Sequence, residues 1–166
     1  TKLCEKLSNI SKNIQVNNVA VSNQEGNTNF YERRISSQSS IFSETENPLN
    51  EIVDEYTVKV INLDDYIINN NIKNIDFLKI DTEGNDYNVL LGLQKSLNKN
   101  LIKIIKIECL FKLNKSDEKS SFDKIYNLMV QNNYTIYSIP NTKHIENQIF
   151  LIDIIFVNNS LTKVNG

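Results

Sequence analysis

Phe77-Leu78-Lys79-Ile80-Asp81-Thr82-Glu83-Gly84-Asn85-Asp86 is the stretch that decides how this chain is read. An apolar strand runs into two carboxylates one residue apart, then a glycine, then the polar start of a helical pattern through Val89, Leu90, Leu93 and Leu97. In open α/β sheets ligands bind in the crevice beyond the carboxyl ends of the strands, so acids at such an end face substrate or cofactor. Asp, Asn and Gly also suit a helix N-cap and a turn with unusual backbone angles, and a lone D-x-E-G is more often such a cap.

Outward from this stretch, strand 76–81, helix 86–97 and strand 103–109 make a β-α-β unit. Its near-continuous apolar strands predict a parallel sheet covered on both faces. Upstream, Leu3, Leu7 and Ile10 stand at helical spacing. Strands are expected at 14–21, near 28–32 and at 57–62, with a polar loop over 35–55, and Asp64 or Asp65 is expected to cap a short helix ending about Asn70. Downstream, a helix over 118–132 carries Phe122, Ile125, Tyr126, Met129 and Val130 on one stripe. Tyr134–Ile139 and Ile149–Val157 are strands joined by a connection too short for a crossover helix, so they should pair antiparallel. The expectation is one α/β domain spanning residues 1–166.

Composition narrows the class. The chain has 166 residues, 40% of them hydrophobic, with no continuous apolar run of membrane-spanning length. A net charge of −2 without a basic stripe argues against nucleic acid as a partner. A soluble, cytoplasmic domain is expected, with Cys4 and Cys109 as buried free thiols and not as a disulfide framework. His144, in the polar setting Asn141-Thr142-Lys143-His144, reads as an exposed loop residue.

Three segments then carry a longer pattern. Val60-Ile61-Asn62-Leu63-Asp64-Asp65-Tyr66-Ile67, Ile75-Asp76-Phe77-Leu78-Lys79-Ile80-Asp81-Thr82-Glu83-Gly84-Asn85-Asp86 and Val89-Leu90-Leu91-Gly92 resemble, in order and spacing, the FkbM family of S-adenosylmethionine-dependent methyltransferases. Asp86 replaces the more usual Glu of that pattern. Asn17 to Gly26, the serine-rich Ser36 to Ser40 and the strand Ile104-Ile105-Lys106-Ile107-Glu108-Cys109 are similar to further family segments, so the resemblance covers roughly residues 13 to 110.

The resemblance implies a Rossmann-like class I methyltransferase fold, a mostly parallel sheet closed by a C-terminal antiparallel hairpin. It implies S-adenosylmethionine as methyl donor and O-methylation of a hydroxyl on a small-molecule or glycan acceptor: a sugar, glycolipid or natural product. In this family the donor is held mainly by a glycine-rich turn and an acid that lie upstream of all these segments, and Gly26, Gly84, Gly92 and Gly166 form no G-x-G turn. The chain therefore reads as an incomplete, N-terminally truncated domain. Asn18, Val19 and Ala20, at the end of an early strand, are the residues that the resemblance places against the adenine ring of the donor.

Methyl transfer to a hydroxyl needs the acceptor aligned with the methyl group and a base to take its proton. Asp81 and Glu83 are the base candidates, with Glu108 from the next strand end beside them. In an extended segment Lys79, Asp81 and Glu83 share a face, so Lys79 favours the charged form of Asp81. Asp86 is expected to act mainly on the helix dipole. The three acids suit a hard cation, but the sequence supplies no further ligands and no metal is predicted. Two other readings remain at this level: a catalytically silent fold or binding module, and a metal-dependent hydrolase using Asp81, Glu83 and Glu108.

Overall fold

The computed structural model describes residues 2–43, 50–111 and 121–161. Strands and helices alternate along them in an α/β fold with two sheets. After helix α1 (Lys2–Ser8), strands β1 (Ala20–Val21), β2 (Gly26–Arg33) and β3 (Ile52–Ile61) form a sheet in the order β1-β3-β2. Strands β4 (Ile75–Ile80), β5 (Ile102–Leu110), β6 (Tyr134–Ile145) and β7 (Gln148–Asn158) form the second, in the order β4-β5-β7-β6. β1 runs parallel to β3 and β4 to β5, whereas β2–β3, β5–β7 and β6–β7 are antiparallel. The sheets are thus mixed, which corrects the expectation of a mostly parallel sheet. The closing hairpin is antiparallel as expected.

Several boundaries move for local reasons. The strand expected at 14–21 shrinks to Ala20–Val21, because Asn17 and Asn18 are poor strand residues and Ile14 is exposed. β3 starts five residues earlier than the expected 57, since β2 pairs with it from Gly26↔Val60 to Arg33↔Ile52. That hairpin shortens the expected 35–55 loop, of which 44–49 lie outside the described residues. The Leu3 side chain of the opening helix lies outside them too, while Leu7 and Ile10 are exposed.

The expected helix over 86–97 is two helices, α3 (Asp86–Leu91) and α4 (Gln94–Asn98), broken at Gly92–Leu93. The break is a junction. Asp64 N–H donates to the Gly92 carbonyl at 3.0 Å, and the Asp64 carboxylate accepts from Lys95 N (2.7 Å), Ser96 N (2.9 Å) and Ser96 Oγ (2.5 Å), capping α4 from another element. Helix α2 (Leu63–Asn69) is instead capped by Asn62, which accepts from Asp64 N and Asp65 N, not by Asp64 or Asp65 as expected. At Gly92 an added Cβ would lie 2.6 Å from the Ser22 carbonyl oxygen, so the backbone after β1 packs directly on this junction. Gly92→Ala is therefore expected to destabilise by about 1–3 kcal/mol through overpacking, the reverse of the usual gain from Gly→Ala at an unstrained site. A urea melt that leaves the midpoint unchanged or raises it would show that the close approach costs nothing.

One core lies between the four-stranded sheet and the helices. Ile80, Ile105, Ile107, Ile152, Ile154 and Phe156 meet Val89, Leu90, Leu93 and Leu97 of α3–α4 and Ile125, Leu128 and Met129 of helix α5 (Phe122–Gln131). The buried stripe of α5 is thus 125/128/129, and Tyr126 and Val130, expected on it, are exposed. Residues 118–120, where that helix was expected to begin, lie outside the described residues. The opposite sheet face corrects the expectation of cover on both sides. Phe77 is 53% exposed there, and Ile104, Lys106, Ile155 and Val157 are only half-buried.

β6 and β7 are joined by Glu146 and Asn147, both at positive φ (50° and 64°), the conformation of a two-residue primed turn. His144 is exposed but sits in β6 opposite Ile149, not in a loop. No helix among the described residues is long and apolar enough to cross a membrane.

Candidate active site

Asp81 directly follows β4, and the Asp81–Asn85 segment turns the chain into α3. Non-glycine Glu83 adopts φ 54° and Gly84 φ 109°, so two consecutive residues leave the ordinary right-handed region. For a non-glycine residue that conformation costs roughly 1–3 kcal/mol and persists only where its surroundings hold it. Asp86 supplies that hold: its carboxylate accepts from Thr82 N at 3.0 Å and from Gly84 N at 3.2 Å, the two amides that bracket Glu83. The residue is 1% exposed.

Register brings the acids together. Lys79 lies opposite Lys106, so Asp81 and Glu108 emerge side by side at the carboxyl ends of parallel β4 and β5. Carboxylate oxygens of Asp81, Glu83 and Glu108 lie within 4.8 Å of one another, close enough to repel one another strongly and to surround one hard divalent cation. Lys79 Nζ pairs with Asp81 Oδ2 at 2.5 Å, and this hydrogen bond holds the ammonium above its usual range. On the other side Lys106 pairs with Asp153 at 2.9 Å, which offsets the like-charge pairing of Asp153 opposite Glu108.

Crowding of negative charge in a half-buried place sets the protonation. Burial raises Glu83 above the usual carboxylate range, followed by repulsion from Asp81 and Asp86, with Lys143 and Lys79 opposing. Glu108 is pushed up to about 7, first by burial and then by Glu83, Asp81 and Asp86. A carboxyl poised there exchanges protons at neutral pH, which is what a general base or acid requires. Cys109 next to it is fully buried in β5 and its thiol is pushed up by burial, so it is an inert core residue; Cys4 lies half-buried in α1.

The first sheet borders this turn. The buried Asn85 amide donates to the Val21 carbonyl at 2.7 Å, tying the end of β1 to the start of α3. Ala20 opens β1, Val19 precedes it half-buried, and Asn18 is exposed. From the loop after β2, the Phe42 ring lies 3.5 Å from where a Gly84 Cβ would stand. Buried Arg33 holds that loop by donating to the carbonyls of Asn50 (3.0 Å), Phe42 (3.2 Å) and Ser43 (2.7 Å). The serine-rich segment is therefore ordered, with Ser39 Oγ accepting from Arg33 N and Ser40 Oγ accepting from Phe42 N.

Sequence reasoning placed Lys79, Asp81, Glu83 and Glu108, and the fold gathers all four. It missed Lys143, which reaches the cluster electrostatically from the far hairpin, and Arg33, whose role depends on loop carbonyls that no pattern reveals. It also gave Asp86 a helix-dipole role only.

The profile of the Methyltransferase FkbM domain matches residues 2–136, which takes in β1 to β5, the acid turn and α5. No curated protein and no solved structure matches the chain. A match over that much of 166 residues shows that the chain belongs to the FkbM methyltransferase family.

Proposed function

We propose that this protein transfers a methyl group from S-adenosylmethionine to a hydroxyl of a small-molecule or glycan acceptor, on a Rossmann-like class I scaffold. The observation that carries the reading is the convergence of Asp81, Glu83 and Glu108 at the ends of two parallel strands, with Glu108 poised near neutrality. In this reading Glu108 takes the hydroxyl proton. Asp81, fixed by Lys79, and Glu83 orient the acceptor.

Bound S-adenosylmethionine supplies an electrophilic methyl group. Part of a site for it fits these residues: the Thr82 hydroxyl is buried without a hydrogen-bond partner among the described residues, an orphan that a bound polar group would satisfy. Asn18, Val19 and Ala20, kept near the turn through Val21 and Asn85, would hold the adenine side. Small Ala20 leaves room for a flat ring, and the exposed Asn18 amide offers both a donor and an acceptor.

The test is a thermal-shift titration of the intact gene product with S-adenosylhomocysteine. Binding to the native state should stabilise it by about 2.7 kcal/mol at a hundredfold excess over Kd. A flat titration, together with no label transferred from methyl-labelled donor to hydroxyl acceptors, would leave the fold without this activity.

A further inference from the structure

Glu83 is held in a strained conformation by a side chain that touches none of the chemistry directly. We propose that Asp86 is a positioning residue, whose buried carboxylate clamps the amides of Thr82 and Gly84 and so presents Glu83 to Asp81 and Glu108 in its left-handed conformation. The inference rests on the reading that these three acids form the active site.

Three observations support it. The bonded amides are those of the residues before and after Glu83, so a single carboxylate ties the Asp81–Thr82 and Glu83–Gly84 peptide planes and fixes the ends of the short span in which Glu83 turns. Asp86 opens α3 and is 1% exposed, so its position is set by the core packing of that helix through Val89 and Leu90. Asn85 adds a second anchor by bonding Val21, and the Phe42 ring closes over Gly84 from outside. A helix-dipole role would need none of this, since an exposed first-turn carboxylate serves it equally well. Asp86 also adds negative charge to the cluster. Glu83 is faced by Asp81, Asp86, Lys79 from β4 and Lys143 from β6; Glu108 is faced by Glu83, Asp81, Asp86 and Lys143, with the Lys106–Asp153 pair alongside.

Two measurements test the clamp. In the native wild-type protein, without donor or acceptor, the Thr82 and Gly84 amides should exchange with deuterium far more slowly than in an unfolded peptide. Exchange at unprotected rates overturns the proposal whether or not the protein methylates anything. In Asp86→Asn, carbon-detected titration of Glu83 and Glu108 should show both midpoints moved to lower pH, because a neighbouring negative charge is gone. If turnover is present, kcat should fall roughly 10- to 100-fold, as expected when a reacting group is misplaced. Asp86→Glu keeps the carboxylate charge, and should restore both the midpoints and turnover. Unmoved midpoints in a folded Asp86→Asn protein, or wild-type turnover in it, would overturn the positioning role.

Discussion

Glu108→Gln should remove most methyl transfer and at the same time make the protein more heat-stable at pH 8 than the wild type. The two effects share one cause. Glu108 sits half-buried among Glu83, Asp81 and Asp86, so its carboxyl is pushed up to about 7 from an ordinary 4.5. Below about pH 4.5 both folded and unfolded chains keep the proton, and the group costs nothing. Between 4.5 and 7 the unfolded chain releases the proton while the folded chain retains it, so stability falls as pH rises. Above 7 the folded state carries the charge at full cost, reduced in size by the solvent that reaches the group. Gln removes that cost and the base together. The melting temperature of Glu108→Gln relative to wild type should thus be near zero at pH 4.5 and should grow to a plateau above pH 7. Loss of a general base typically costs ~10²–10⁴-fold in rate. Wild-type turnover in the variant would move the base elsewhere, and a melting difference that ignores pH would break the electrostatic account. Trading stability for a poised group is the usual bargain at an active site.

What the sequence reveals and what it hides divide along the range of the interaction. The acid strand end is local: β4 is six residues of Ile75–Ile80, its helix follows within five residues, and the fold confirms the order of both. The sequence also places Asp81 and Glu108 near the ends of consecutive parallel strands of a β-α-β unit, and the register Lys79↔Lys106 is what sets them side by side. Lys143 could not be read this way. It lies 60 residues after Glu83 on a hairpin whose arm extends well past the expected strand end, and only the Glu146–Asn147 turn fixes where that arm points. The break at Gly92 was hidden similarly, since apolar spacing runs unbroken through Val89, Leu90, Leu93 and Leu97. Periodicity reports the face that a residue presents, not the carbonyl that a distant Asp64 amide draws out of the helix.

Asp86 shows the same limit in a single residue. An acid at the first turn of a helix is correctly read as favourable to the dipole, and the family pattern marks the position as acidic. Neither observation says that the side chain folds back onto Thr82 and Gly84. That contact accompanies the positive φ of Glu83 and Gly84, in which the turn directs the Thr82 and Gly84 amides to the Asp86 carboxylate. Backbone conformation at one or two residues thus changes an apparent cap into part of the site's frame.

Asp64→Ala should be strongly damaging to stability although it removes no apolar core side chain. Asp64 is 4% exposed, and its carboxylate accepts two backbone amides and one hydroxyl at the start of α4, whose own N-cap, Leu93, has no side chain able to accept. Alanine leaves Lys95 N and Ser96 N without an acceptor, while Ser96 Oγ can turn to another. At ~1–3 kcal/mol for each buried donor left unmatched, the loss is about 3 kcal/mol or more. For a domain of this size 1 kcal/mol moves Tm by roughly 2–4 °C, so a fall of roughly 6–12 °C is expected. Asp64→Asn should fall between, because an amide oxygen can replace one carboxylate oxygen but its NH₂ would face another donor. Asp65→Ala is the control: among the described residues its carboxylate pairs with an exposed Lys95 at 3.8 Å, a contact worth a few tenths of a kcal/mol. Calorimetric melts of the three variants decide the matter, and an Asp64→Ala protein within about 0.5 kcal/mol of Asp65→Ala would show that the α2–α4 clamp contributes little.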